Sequence, residues 1–96
     1  MPQIVFSQAA VRDLERLRKF LQPKSPLAAK RAAEAILTGV QALGVHPKLG
    51  RLIDDLPDQY REWLIDFGDS GYITRYRIDD DVVTILAVRH QKEAGF

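Results

Sequence analysis

The apolar positions of this chain are dense in a short run at the N-terminus, then recur every three to four residues, then crowd or alternate every second residue. That change of period predicts the order of its elements. Gln3 to Phe6 is a short apolar run after Met-Pro and reads as a first strand. Ser7 follows as a helix N-cap, its hydroxyl able to accept from an unpaired N–H of the first turn. Ala10, Leu14, Leu17 and Leu21 recur at spacings of four, three and four, with Arg12, Asp13, Glu15, Arg16, Arg18 and Lys19 between them. This is an amphipathic helix. It stops at Gln22-Pro23, because proline lacks a donor and disfavours helix in the residue before it. Ser25-Pro26 starts a second helix, with Pro at the first helical position. Ala29, Ala33, Ile36, Val40 and Leu43 form its apolar stripe, and Gly44 is the expected stop. So short a connection predicts an antiparallel helical hairpin. Ala28, Ala29, Ala32, Ala33 and Ala35 would let the second helix approach its neighbours closely.

Beyond Gly44 the period changes to that of strands. His46 to Arg51 reads as a loop, and Leu52 to Asp58, acidic and containing a proline, as irregular. Gln59 to Phe67 alternates, placing Arg61, Trp63, Ile65 and Phe67 on one face and Tyr60, Glu62, Leu64 and Asp66 on the other. The Gly68-Asp69-Ser70-Gly71 turn leads to a hairpin whose strands flank Asp79-Asp80-Asp81. In its first strand Ile73, Arg75 and Arg77 share one face, and Tyr72, Thr74, Tyr76 and Ile78 the other. In its second, Val83, Ile85 and Ala87 alternate with Val82, Thr84, Leu86 and Val88. That strand is apolar on both faces and belongs inside the sheet, with Arg89 and His90 where it emerges. The expected fold is α+β: an N-terminal strand, an antiparallel helical hairpin, then a three-stranded antiparallel meander. The helices pack on one face of a curved sheet. The other face is left open, and its strand arginines would be exposed there.

Composition narrows the class. Ninety-six residues, 46% of them hydrophobic, make one domain spanning 1–96. With no cysteine, disulfides and thiol chemistry are excluded. No apolar run reaches bilayer length, so the expectation is a soluble, cytoplasmic protein with no membrane partner. The net charge of +1 conceals an asymmetry: residues 1–51 carry +6 and residues 52–96 carry −5. A charged partner would account for this, and so would a solvated helical half beside a sheet whose turns use aspartate.

Chemistry is sparse. Two distant histidines and a tight aspartate turn offer no metal-ligand spacing, and no phosphate loop or nucleophile motif is present, so no metal or cofactor is expected. The remaining functional candidates are cationic: Arg51, Arg61, Arg75, Arg77, Arg89, His90 and Lys92. Arginine forks bind phosphate or carboxylate bidentately, which suits RNA or an acidic partner segment. A histidine could move a proton in phosphodiester cleavage while arginines stabilise the phosphorane. Equally, these arginines could pair with cross-strand acids such as Glu62 or Asp66, and His90 could simply pack at a strand end.

The order of elements resembles the RelE/ParE superfamily of type II toxins. Four motifs carry the likeness: His-Pro-Lys-Leu-Gly-Arg after the second helix, Arg-Glu-Trp-Leu-Ile, Gly-Tyr-Ile-Thr-Arg-Tyr-Arg-Ile, and the closing Ile-Leu-Ala-Val-Arg-His-Gln-Lys-Glu-Ala-Gly-Phe. The resemblance covers essentially the whole chain. It implies a plasmid-stabilisation type toxin neutralised by a cognate, co-encoded antitoxin in a hetero-oligomeric complex. It also implies one of two activities. A RelE-like member would cut mRNA on the ribosome, here with Arg61, Arg75, Arg89 and His90 as the catalytic set. A ParE-like member would inhibit DNA gyrase without being an enzyme. Phe96 lacks the hydroxyl of the tyrosine often found at the nuclease C-terminus, the strands are poor in lysine, and the helical hairpin is long. These features favour the ParE branch, with the nuclease and a non-toxic binding domain of the same fold as alternatives.

Overall fold

Ser7 and Ser25 start the two helices. Ser7 Oγ accepts from the Ala10 N–H at 3.0 Å and Ser25 Oγ from the Ala28 N–H at 3.1 Å, each satisfying a donor that the first helical turn leaves unpaired. The structure, a computed structural model, describes residues 2–93. Strand β1 (Gln3–Phe6) leads into α1 (Gln8–Leu21) and α2 (Pro26–Val45). A single 3-10 turn, Pro47–Leu49, then precedes β2 (Arg51–Leu52), β3 (Tyr60–Phe67), β4 (Ser70–Asp79) and β5 (Val82–His90). The strands form one sheet in the order β1-β5-β4-β3-β2, with β1 parallel to β5 and every other pair antiparallel. This is the expected α+β architecture, with the helical hairpin covering one face of an open mixed sheet.

The core lies between hairpin and sheet. Ala10, Leu17, Ala32, Ile36, Val40 and Leu43 come from the helices, and Ile65, Tyr72, Tyr76, Val83, Ile85 and Val88 from the strands. Burial of this apolar surface is what holds two marginal helices on a twisted sheet.

Four local expectations change. Gly44 does not end α2. It is buried inside the helix, where a Cβ would meet Ile4 Cδ1 at 3.1 Å, so glycine there serves close helix-to-strand approach. The apolar stripe of α2 runs through Ala32 rather than Ala33, which is exposed. Arg51–Leu52, expected to be loop, pairs with Glu62 and Arg61 as a short edge strand. The fourth change concerns β5. Arg75 pairs with Ala87 but Tyr76 pairs with Ile85, so Leu86 is an extra residue. Such a bulge inverts the alternation beyond it. Val83 and Ile85 therefore share the buried face with Val88 and not with Ala87, their partner in a regular alternation, and the other face is only half-buried.

A hydroxyl pins the segment between α2 and β2. Tyr76 Oη donates to Pro47 O at 2.6 Å and accepts from the Gly50 N–H at 2.9 Å, both across the buried end of the sheet. Gly50 is there for space: a Cβ would stand 2.5 Å from Tyr76 Oη and 2.7 Å from Glu62 O. One neighbour is backbone and the other is held by two hydrogen bonds, so neither yields cheaply. Gly50→Ala is expected to destabilise the fold by about 1–3 kcal/mol, with Tyr76→Phe similar through loss of two hydrogen bonds and an orphaned Gly50 donor. Urea denaturation of the two variants measures this, and a Gly50→Ala protein as stable as the parent would contradict it.

Candidate functional site

On the face not covered by helices, the arginines are gathered around one carboxylate. Glu62 of β3 sits opposite both Arg51 of β2 and Arg75 of β4. Its two oxygens are shared out: Oε1 accepts from Arg51 Nη2 at 2.6 Å, Oε2 from Arg75 Nε at 2.9 Å. The Glu62 side chain is only 11% exposed. Burial alone would raise its pKa, but the hydrogen bonds from Arg51 and Arg75 outweigh this and hold the carboxyl below its usual range. Arg77, next along β4 on the same face, pairs with Asp79.

Arg61 lies on the opposite face of β3, beside Trp63 and Ile65. Its Nη1 donates to Gly50 O at 2.9 Å and Lys48 O at 3.3 Å, so this guanidinium fastens the segment before β2. Arg89 and His90, as neighbours on a strand, face opposite sides, and the Leu86 bulge decides which side each takes. The Arg89 backbone position faces Ile73 on the open side, and its Nη1 reaches the edge of the sheet, 3.3 Å from Asp13 Oδ1. His90 points to the helix side, where its ring meets the Tyr72 ring edge-on with centroids 5.3 Å apart. There it lines a cavity of about 550 Å³ under α1, with Leu17, Phe20 and Phe67 as apolar wall and Lys92 at the rim. His90 Nδ1 accepts from the Lys92 N–H at 3.1 Å.

The candidate cations therefore fall into separate groups. Arg51 and Arg75 meet through Glu62, and Arg77 lies next to them. His90 and Lys92 line one cavity on the other side, while Arg61 and Arg89 are each tied elsewhere. Phe96 lies outside the described residues. Among the described residues no group of three or more His, Cys, Asp and Glu could hold a metal ion, and no helix is long and apolar enough to cross a membrane.

One important residue escaped the sequence reading. Asp13 is one of the charged residues between the apolar positions of α1, yet it is 9% exposed. Its Oδ2 accepts the Val88 N–H at 2.9 Å, while Oδ1 accepts from Arg16 at 2.7 Å and Arg89 at 3.3 Å. A signal for it existed. Asp13 stands three residues after Ala10 and four before Leu17, on the apolar stripe itself.

A second surface lies on the helices. Between α1 and α2 runs an apolar groove of about 500 Å³ lined by Val11, Leu14, Ala29, Ala33, Ile36 and Leu37, with Glu15, Arg18 and Lys30 on its walls. Val11 and Leu37 are each about half exposed, at 48% and 49%. Arg12 and Lys19 add exposed positive charge on α1.

The Glu62 cluster sets a pH dependence. A carboxylate whose folded pKa is depressed stabilises the fold above its unfolded value of about 4.3, and that contribution is lost as pH falls through the lower folded value. Glu93 behaves alike: burial opposes ionisation, but the His90 N–H and Arg16 outweigh it. Stability measured by urea denaturation is expected to fall below about pH 5, and less steeply in Glu62→Gln. Equal steepness in the two proteins would show that Glu62 is not an acid-sensitive tie.

Comparison with known proteins agrees with this architecture. The family described as "ParE toxin of type II toxin-antitoxin system, parDE" matches residues 4–95. Toxin RelE3 of Caulobacter vibrioides is 37% identical over 93 residues, covering 97% of this chain and 98% of the relative. Toxin RelE2 of the same organism is 33% identical over 90 residues, covering 94% and 96%. Among solved structures, the chromosomal ParDE TA system from P. aeruginosa superposes with a TM-score of 0.76 at 16% identity, covering 94% of this chain and 96% of that one. The toxin-antitoxin complex RelBE2 from Mycobacterium tuberculosis gives 0.62 at 25% identity, covering 95% and 100%. With its fold, nearly its whole length and its named relatives all in agreement, the chain belongs to the RelE/ParE superfamily of type II toxin-antitoxin toxins.

Proposed function

We propose that this toxin acts in the ParE manner, by binding DNA gyrase and arresting growth without being an enzyme itself, and that a cognate antitoxin neutralises it in the cytoplasm. The observation that carries this reading is the division of the candidate cations by the Leu86 bulge. Phosphodiester cleavage needs a proton-transfer group and phosphate-binding guanidiniums around one phosphorus. Here His90 faces the cavity under α1, whereas Arg75 and Arg77 lie on the other side of the sheet. Glu62 is a weak base for the role, because Arg51 and Arg75 stabilise its ionised form. A surface of internally satisfied ion pairs is suited to rigid recognition of another protein.

The antitoxin partner is supported by the solved relatives, which are toxin-antitoxin systems and complexes. The groove between α1 and α2 is where its apolar anchors would seat, with acidic residues meeting Arg12, Arg18, Lys19 and Lys30. Part of this contact is pairing of opposite exposed charges, so its affinity should weaken with salt.

A second reading has its own support: the curated relatives are named RelE toxins. In that reading the chain is a ribosome-dependent endoribonuclease in which Arg61, Arg75, Arg89 and His90 regroup around mRNA. A domain that keeps the fold without toxicity is the third. Purified toxin is expected to block gyrase supercoiling and accumulate cleaved DNA while leaving a translation extract active. Normal supercoiling at saturating toxin, with codon-associated mRNA cuts that vanish in Arg75→Ala or His90→Ala, would replace this reading by the nuclease. Harmless expression without antitoxin would leave only the third.

A further inference from the structure

Strand β3 is eight residues long, but its outer neighbour β2 is two residues long and pairs only Arg61 and Glu62. The remaining edge is oriented by three contacts. Glu62 O points to the β2 side, where it crowds Gly50, whereas Ile65 O points to β4, against Gly71. Gln59 O likewise turns to β4, accepting the Ile78 N–H at 2.8 Å. Odd-numbered residues of β3 thus direct their backbone groups to β4 and even-numbered ones outward. Past β2, the N–H and C=O groups of Leu64 and Asp66 face outward, where no strand of the described residues lies. An edge of this kind is a template for another strand.

We propose that this edge is a self-association surface, where β3 of a second copy of the chain pairs antiparallel about a twofold axis at Ile65. The register is self-complementary. It sets Leu64 of each copy opposite Asp66 of the other, so that the outward groups of both residues form four hydrogen bonds, two per pair. No like charges face each other across the junction. The incoming strand turns away at Gly68, the position that would otherwise face Glu62 and meet β2. Leu64 is 45% exposed and gains cover. Beside the edge, α2 contributes Arg31 and Glu34 to a shallow groove that also includes Trp63 and Leu64. One cation and one anion on each copy suit a twofold repeat. This surface is distinct from the groove between the helices, and the inference does not depend on the target of the toxin.

Sedimentation of the purified full chain over a wide concentration range tests it, with circular dichroism as the check on folding. The wild type is expected to pass from monomer to dimer. Leu64→Asp places a carboxylate opposite Asp66 twice per dimer and should weaken dimerisation about tenfold. Leu64→Lys places a cation there and should strengthen it. Because Leu64 is a surface residue, both variants should keep the parent spectrum. A wild type monomeric at every concentration would overturn the proposal, as would a dimer that both substitutions affect in the same direction or not at all.

Discussion

The structure turns on what happens to β5 after Ile85. Until that residue it has β1 as a parallel neighbour, and Phe6 opposite Ile85 is the last pair. Beyond it, α1 supplies polar groups in place of a strand. The Ser7 hydroxyl donates to Leu86 O at 3.3 Å and the Asp13 carboxylate takes the Val88 N–H at 2.9 Å. A buried backbone donor needs a partner, so a helix can lie along a sheet edge only if it carries such groups at the right positions. Asp13 does more than cap one donor. With Arg16 on its own helix and Arg89 on β5, it forms a charged tie between hairpin and sheet, and removing one member of such a group strands the others.

The same point in the chain decides which residues share a surface. Leu86 is the extra residue at which the β4/β5 register shifts. Without it, Arg89 would lie on the core side and His90 on the open side with Arg75. With it, His90 packs on Tyr72 below α1, and Arg89 is drawn toward Asp13. A single inserted residue therefore separates a potential proton-transfer group from the guanidiniums that a nuclease would need beside it. The loss of the β1 neighbour and the bulge occur together, which lets α1 cross the strand where its ladder is already interrupted.

Periodicity made the element order and the helix starts legible in the sequence, because caps, prolines and apolar spacing are local signals. Glu62 as an arginine partner was also legible, since cross-strand neighbours follow once two strands are paired. Other features depended on tertiary contact. Gly44 looks like a helix stop and proves to be a packing position against Ile4, a distinction that only the approach of β1 decides. The bulge leaves no mark in a run as uniformly apolar as Val82 to Val88, where either alternation satisfies the pattern. The placement of His90 on the helix side, away from Arg75, followed from that hidden shift, so the sequence could name candidate residues but not their grouping.

Charge in this protein is largely spent on itself. Arg51 and Arg75 share Glu62, Arg77 has Asp79, and Arg16 is shared between Asp13 and Glu93. A polyanion approaching the open face would have to compete with carboxylates already in place, and each exchange returns little net energy in water. The helical hairpin differs. Lys30 lines the apolar groove and Arg12 and Lys19 are exposed on α1, so an acidic amphipathic segment would gain both burial and charge neutralisation there. The +6 and −5 halves of the sequence thus differ in how charge is placed: exposed cations stand on the helices, while on the sheet Glu62 and Asp79 hold arginines in place.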